Sequence, residues 1–162
     1  MKRKKGNVFK LILKIVGALA ILITIISGII YIIEYRESHP SVNLTGEWKI
    51  VNTIDSTSYP LYQDMQLGYR IFLQQDGKKI TGEGEKCWEN GKEIPSTAHS
   101  PISIEGTLDG MVVTATCTEK GARRSTSGSF IWTVSPHGRI IQGSFTSTAA
   151  NSRGTSIGER IE

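Results

Sequence analysis

The hydropathy pattern changes once along the chain, near residue 34. Residues 11–33 form an almost unbroken apolar run that contains one charged residue, Lys14. After residue 45, short segments follow in which apolar and polar residues alternate, separated by turn residues. A long apolar run predicts a transmembrane helix, whereas alternation with period two predicts half-buried β-strands. The predicted organisation is a basic cytoplasmic N-terminus over 1–10, a transmembrane helix over 11–33, a linker over 34–45 and a β domain over 46–162.

The apolar run is long enough to cross a lipid bilayer. Ile15 to Ile33 are 19 uncharged residues, and a helix of that length spans roughly 28 Å, close to the hydrocarbon thickness of a bilayer. A cleaved signal peptide is the alternative, but this run exceeds the usual apolar region of about 7–15 residues and lacks a small-x-small cleavage site. We therefore predict an uncleaved, single-pass anchor, in which small residues such as Gly17 and Gly28 permit helices to associate.

The positive charge of the chain belongs to its N-terminus. Residues 1–36 carry seven Lys/Arg and one Glu, a net charge of +6, whereas residues 37–162 carry 12 Lys/Arg and 14 Asp/Glu, a net charge of −2. A domain that binds DNA or RNA needs a net basic face. The folded part of the chain is therefore not predicted to bind nucleic acid polymers.

The side of the membrane on which the β domain lies stays open. The positive-inside rule keeps residues 2–5 in the cytoplasm and so places the C-terminal region outside it. Cys87 and Cys117 fall on the third and fifth predicted strands, about 9–10 Å apart. This distance disfavours a disulfide, whose Cα atoms lie within about 7 Å, unless the two residues meet at frayed strand ends. Free thiols favour a reducing compartment, and therefore the opposite side.

Eight strands joined mostly by tight turns are predicted in residues 46–162. Asp76-Gly77, Asn90-Gly91, Asp109-Gly110 and His137-Gly138 are turn signals. Antiparallel strands in sequential hairpins predict an all-β, up-and-down barrel, because closure removes the exposed sheet edges. A two-sheet sandwich is the alternative, with residues 55–66 as its one candidate crossover. The predicted strands lie near 46–54, 67–75, 79–88, 101–108, 111–118, 127–135, 139–147 and 154–161.

Two motifs at the ends of this region resemble those of lipocalin-like and avidin-like barrels. Gly46-Glu47-Trp48 opens the first predicted strand, and Arg160 lies in the last. In such barrels a Gly-x-Trp on strand one packs against an Arg from the final strand and closes one barrel end. The resemblance implies that the guanidinium of Arg160 stacks on the indole of Trp48 while its donors reach loop carbonyls.

The sequence contains no catalytic motif. Gly-x-Ser-x-Gly, a phosphate-binding loop and His-Glu-x-x-His are all absent. The three histidines, His39, His99 and His137, are too far apart for a zinc-ligand spacing. Glu83 and Glu85 lie two apart on a strand, which is typical of a solvated face. We therefore predict a binding protein rather than an enzyme, with no cofactor and no metal site.

Glycines and aromatic residues form a loose pattern in two parts of the predicted barrel. The pattern comprises Leu44-Thr-Gly-Glu-Trp48 at the first strand, and Ile141-Gln-Gly-Ser-Phe-Thr-Ser147 followed by Arg153-Gly-Thr155. Together with an N-terminal membrane segment and a small barrel, this pattern resembles the membrane effectors of bacterial anti-phage signalling, of the CBASS type and the related Panoptes type. Their avidin-like barrel recognises cyclic nucleotides. That family typically has two membrane helices and a cytosolic barrel, whereas one helix is predicted here. The resemblance implies an antiviral defence effector in the inner membrane that acts as a homo-oligomer.

The resemblance also implies a ligand site built from arginines and aromatic side chains. The phosphates of a cyclic oligonucleotide require Arg or Lys, and its bases stack on aromatic rings. Ligand binding would change how the barrels associate, cluster the helices and breach the membrane; in a Panoptes-type system the ligand would instead hold the effector silent. The candidate residues are Arg70, Arg123, Arg124, Arg139 and Arg153, with Tyr69, Trp88 and Trp132.

A competing hypothesis is a lipocalin-like module on the envelope side of the membrane. Such a barrel would be held outside the cytoplasm by a signal anchor and would bind an apolar ligand or a partner protein. The two hypotheses differ in membrane topology, because a cyclic nucleotide is made inside the cell.

The anchor prediction has a direct test. The full-length chain should sediment with membranes and resist carbonate extraction, because a helix of this length and hydropathy stays in the bilayer once inserted. Fractionation followed by N-terminal sequencing of the product checks it. A soluble product that begins after residue 33 would contradict an uncleaved anchor.

Overall fold

A computed structural model describes residues 3–38 and 42–161. Contacts divide the chain into two compact units, with the boundary between His39 and Pro40. Residues 39–41, which belong to the predicted linker, lie outside the described residues.

The N-terminal unit is a single helix, α1, from Arg3 to Ser38. Its segment Leu13–Tyr35 has a mean hydropathy of 2.7, and none of its residues is buried within the structure. By length and composition this segment is apolar enough to cross a membrane, a property that an N-terminal signal sequence would share. The helix extends beyond both ends of the apolar run over 11–33. At its C-terminal end no glycine or proline interrupts residues 29–38.

The C-terminal unit is a closed antiparallel barrel of eight strands, as the alternation predicts. Each long strand pairs with the next long strand along the chain, and the pairing of the first strand with the last closes the ring. A further strand of two residues, the fourth along the chain, pairs only with the end of the third. The strands are β1 Gly46–Ser56, β2 Gln66–Asp76, β3 Lys79–Glu89, β4 Lys92–Glu93, β5 Ser100–Asp109, β6 Val112–Lys120, β7 Ser125–Val134, β8 Ile140–Ser147 and β9 Ser152–Arg160.

The connections explain why a barrel forms and not a sandwich. Residues 55–66, the candidate crossover, only lead from β1 into the directly paired β2, through a 3₁₀-helical turn at Pro60–Tyr62. Gly77 and Gly110 start two-residue hairpin loops with φ of 56° and 60°. These left-handed conformations suit glycine and match the twist of the flanking strands.

The barrel interior is filled by alternate residues of every long strand. On β1, for example, Trp48, Ile50 and Ile54 are buried, while the intervening Lys49 is exposed. The same alternation runs through β5 and β7, so the apolar faces meet in one core. The fully buried large side chains of this core are Trp48, Trp132, Leu44, Ile50, Ile71, Leu73, Ile80, Ile104, Leu108, Ile141 and Val113.

One end of the barrel is closed by the pair that the sequence resemblance implied. Trp48 and Arg160 are register partners in the β1–β9 pairing, and the guanidinium carbon lies 5.2 Å from the centre of the indole ring. The indole N–H donates to the carbonyl oxygen of Leu44 at 2.9 Å, and the guanidinium donates to the carbonyl oxygen of Asn43. The pair therefore ties β1, β9 and the segment before β1 together, and the predicted packing of Arg160 on Trp48 is confirmed.

Replacement of Trp48 by alanine tests this closure. Because the indole is fully buried, we expect Trp48→Ala to lower the free energy of unfolding by about 3–5 kcal/mol. Urea unfolding of residues 40–162, followed by far-ultraviolet circular dichroism, measures the loss. The matched control is Trp88→Ala, at a partly exposed indole flanked by Lys49 and Arg70, which should cost less than half as much. A loss below about 1 kcal/mol for Trp48→Ala would contradict its role as a core plug.

Candidate ligand-binding cavity

The barrel interior is hollow at the end opposite to Trp48. A cavity of about 260 Å³ lies there, bounded by the second half of β1, the start of β2 and the loops that follow β6 and β8. Apolar and aromatic side chains form much of its wall. They are Ile54, Tyr62, Met65, Leu67, Tyr69, Ile102, Phe130 and Phe145.

Charged side chains line the same cavity. The ammonium of Lys86 lies 2.7 Å from a carboxylate oxygen of Glu89, and the Tyr69 hydroxyl donates to Glu119 at 3.1 Å. Lys86, Glu89 and Glu119 therefore each have a partner within the cavity wall. The remaining positive charge at the cavity is carried by the loop between β6 and β7.

Arg123 and Arg124 are exposed in that loop, at the rim of the cavity. Within the part of the chain that the structure describes, neither guanidinium has an ion-pair partner. Guanidinium groups bind phosphate and carboxylate in a two-pronged geometry. The rim is therefore suited to an anionic group that stays at the mouth of the barrel.

Asn52 supplies an unpaired hydrogen-bond acceptor inside the cavity. Its side chain is 2% exposed, and its amide oxygen Oδ1 has no hydrogen-bond partner among the described residues. An unsatisfied buried polar group costs about 1–3 kcal/mol, so that proteins rarely keep one without a function or a bound molecule. A hydrogen-bond donor on a molecule bound inside the barrel would satisfy Oδ1 of Asn52.

Burial changes the ionisation of two cavity groups. It raises the pKa of the Tyr69 phenol well above its ordinary value, and the neighbouring Glu119 carboxylate raises it further. Burial and Glu119 also raise the pKa of the Cys117 thiol from 9.0 to about 11, although the backbone N–H of Gly128 opposes the change. Both groups are therefore neutral at physiological pH, and Cys117 is a poor nucleophile.

The structure brings three of the predicted site residues together at the cavity, namely Tyr69, Arg123 and Arg124. Arg70 instead lies on the outer surface, where its guanidinium is 3.3 Å from Glu47 and 5.5 Å from the ring of Trp88. Strand alternation explains the difference, because Tyr69 and Arg70 are consecutive and point to opposite faces of β2.

The other four predicted residues also lie outside the cavity lining. Trp88 is partly exposed beside Lys49 and Arg70. Trp132 is fully buried in the core, where its indole N–H donates to Ser156 at 2.9 Å and its ring stacks on Phe130. Arg153 is exposed on β9. Arg139 belongs to the opposite end, since its carbonyl accepts the backbone N–H of Arg160.

Sequence reasoning missed Asn52, Lys86 and Glu119 as cavity residues. A signal for Asn52 was present, because it interrupts the inward apolar series between Ile50 and Ile54. No comparable signal existed for Lys86, which faces inward next to an irregularity in the β2–β3 pairing.

A second group of chemically active side chains lies outside this cavity. Glu85, Cys87 and His99 place one potential metal-binding atom each within 4.8 Å of one another. Glu85 and Cys87 lie two residues apart on β3, and His99 joins them because the segment before β5 folds back along the end of β3. Histidine spacing alone gave no indication of this cluster.

Both cysteines are free thiols, the state that the spacing of their strands favours.

Comparison of the chain with family models, with curated proteins and with solved structures finds no match in any of the three. The function must therefore be inferred from the geometry of the cavity and from the apolar helix.

The reactivity of Cys117 tests the environment of the cavity. In a Cys87→Ser chain, Cys117 is the only thiol. Since its pKa is about 11 instead of 9.0, alkylation by iodoacetamide near pH 8 should be roughly 100-fold slower than for an ordinary thiol. The rate should rise about tenfold per pH unit up to about pH 10. Levelling of the rate near pH 9, or equal rates for the folded and the urea-unfolded chain, would contradict a buried thiol.

Proposed function

We propose that the chain is a membrane-anchored effector of antiviral defence whose barrel senses a cyclic oligonucleotide. The observation that supports this most is the combination of a cavity that opens at the barrel mouth with two arginines at its rim, Arg123 and Arg124, which have no ion-pair partner among the described residues. A nucleotide has the matching parts, a flat base that can be buried and phosphates that stay in contact with water.

The size of the cavity restricts how such a ligand is held. At about 260 Å³, it lies just below the roughly 300–1,000 Å³ of pockets that enclose drug-sized ligands. We infer that one base enters the barrel while the rest of the ring remains at the mouth. The phosphates would then lie against Arg123 and Arg124.

The side chains of the cavity wall fit a nucleotide base better than a lipid chain. Phe130, Phe145 and Tyr69 offer aromatic faces for stacking. The unpaired Oδ1 of Asn52 requires a donor, which the amino or imino group of a base supplies and an alkyl chain does not. Base recognition would thus remove the penalty of a buried unpaired acceptor.

The apolar helix supplies the route to an effect on the membrane. In our proposal α1 spans the inner membrane, and ligand binding changes how the barrels associate in a homo-oligomer. Small residues in the helix, such as Gly17 and Gly28, permit close approach between helices. Clustering would then disrupt the bilayer, or ligand binding would hold the clusters apart.

The second candidate is a lipocalin-like module outside the cytoplasm that binds an apolar ligand. The aliphatic residues Ile54, Leu67 and Ile102 in the cavity wall favour it, as does the positive-inside rule. A reporter enzyme fused to the C-terminus separates the two, because a sensor of a cytosolic nucleotide requires the barrel to be in the cytoplasm.

Loss of both rim arginines tests the nucleotide proposal. Charge-assisted hydrogen bonds contribute about 1.5–3 kcal/mol each, and about 1.4 kcal/mol is one decade of affinity. The double variant Arg123→Ala/Arg124→Ala should therefore bind at least about tenfold more weakly than the unaltered chain. Calorimetric titration of the purified full-length chain in detergent, against a panel of cyclic di- and trinucleotides, measures the change.

Two further variants sharpen this test. Arg153→Ala removes an exposed arginine that does not line the cavity, and it should leave affinity unchanged. Asn52→Leu removes the unpaired acceptor, and it should weaken binding while raising the melting temperature of the free chain. Absence of binding up to about 100 μM for every cyclic nucleotide, combined with binding of a long-chain fatty acid, would replace this proposal with the lipocalin-like one.

A further inference from the structure

We propose that Glu85, Cys87 and His99 form a binding site for a thiolate-preferring divalent cation, with Zn²⁺ as the expected ion. The site lies outside the barrel cavity, and it is independent of the nucleotide proposal. Its three donor atoms would be Oε2 of Glu85, Sγ of Cys87 and Nδ1 of His99. A sulfur, an imidazole nitrogen and a carboxylate oxygen are the donor set that zinc accepts in proteins.

The distances between the donor atoms are close to those around a tetrahedral ion. With zinc bonds of about 2.0–2.3 Å, neighbouring donors lie about 3.3–3.6 Å apart. The Nδ1 of His99 is already 3.2 Å from Oε2 of Glu85, and all three donor atoms lie within 4.8 Å of one another. A small movement of the Cys87 side chain therefore completes three vertices and leaves the fourth for water.

The hydrogen bond on the far side of His99 sets the orientation of its ring. The Nε2 of His99 lies 3.2 Å from the carbonyl oxygen of Ile94, and a carbonyl can only accept, so that Nε2 carries the hydrogen. Nδ1 then faces the Glu85 carboxylate at 3.2 Å, and either a ring proton or a metal cation between the two atoms satisfies both groups. A metal-bound histidine typically donates its other ring N–H to a carbonyl or a carboxylate in this way.

A β-bulge explains why Cys87 joins this cluster. In the β2–β3 pairing, Gly68 pairs with Trp88 and Tyr69 pairs with Lys86, so that Cys87 is the extra residue on β3. Bulges redirect a side chain out of the regular alternation. Cys87 is 3% exposed and free, and its carbonyl accepts the backbone N–H of Ile94.

A bound ion would fix the segment between β3 and β5. Glu85 and Cys87 lie on β3, whereas His99 follows the short 3₁₀-helical turn Ser96–Ala98. The ion would cross-link these two elements much as a disulfide does. Since Lys86 and Ser100 line the barrel cavity, the same cross-link would hold one wall of that cavity in place.

Metal binding requires the Cys87 thiol to lose its proton, which passes to solvent. One bond forms between sulfur and the cation as the S–H bond breaks, with no change in oxidation state. Burial and the Glu85 carboxylate raise the pKa of this thiol, and a coordinated cation opposes that effect by stabilising the thiolate.

Cobalt substitution tests the site directly. The full-length chain, purified in detergent with a histidine-free affinity tag and freed of metal by a chelator, is titrated with Co²⁺ and then with Zn²⁺. We expect one equivalent of Co²⁺ to produce a near-ultraviolet thiolate-to-metal band and the visible bands of a four-coordinate ion. Zinc should displace it and raise the melting temperature of the chain.

Matched variants assign the signal to these three residues. Cys87→Ser and His99→Gln should abolish the thiolate band or weaken zinc binding by at least about 100-fold, more than the loss of an outer-shell partner. Cys117→Ser and His137→Gln remove the other thiol and a histidine of the β7–β8 turn, and they should change neither. Far-ultraviolet circular dichroism verifies that each variant remains folded.

The outcomes that would overturn the site are specific. They are the absence of a thiolate-to-metal band in the unaltered chain, a band that persists in folded Cys87→Ser, or a band lost in Cys117→Ser. If Cys87→Ser does not fold, the result for His99→Gln alone tests the site. This variant is expected to fold, because the side chain of His99 is partly exposed and glutamine preserves most of the volume of histidine. Unchanged zinc affinity in His99→Gln would then refute the proposal.

Discussion

The pairing of β1 with β9 is the constraint on which the rest of the barrel depends. Every other pairing joins strands that are neighbours in sequence, and such hairpins alone would form an open sheet with two exposed edges. The β1–β9 pairing removes both edges and encloses one interior. Trp48 and Arg160 lie at one end of this seam, and Asn52 lies four residues further along β1. The strand that closes the barrel therefore also carries part of the cavity.

The contrast between the two ends of the barrel follows from the size of the inward side chains. At the closed end, Trp48, Leu44 and Leu73 are large inward side chains and fully buried. At the other end, Ser100 and Ser152 occupy inward positions, so that space remains. Close packing is the normal state of a protein interior, and a hollow region with both apolar and polar side chains in its wall is a departure that a ligand would explain.

Local patterns in the sequence were sufficient to predict the strands. Alternation such as that of Ile102 and Ile104, and turn glycines such as Gly77, depend on neighbouring residues only. The site could be predicted only in part, because a strand residue faces the interior or the solvent according to its register. Tyr69 and Arg70 were equally plausible in sequence, and only one of them faces the cavity. The cluster around Cys87 depends on a bulge and on a 3₁₀-helical turn, neither of which has a periodic signature.

The seam between β1 and β9 also has a consequence for the order of folding. Trp48 and Arg160 are more than 100 residues apart in sequence, whereas the hairpin pairings close short loops. Contacts between distant segments are slow to form because the entropy of the intervening chain must be lost first. Hairpins from β2 to β8 can therefore assemble while β1 still lacks its second neighbour. Until β9 docks, the indole of Trp48 lacks its covering guanidinium, and the unpaired edge of β1 is open to other chains. The rate of this last docking step sets how long a newly made barrel is vulnerable to aggregation.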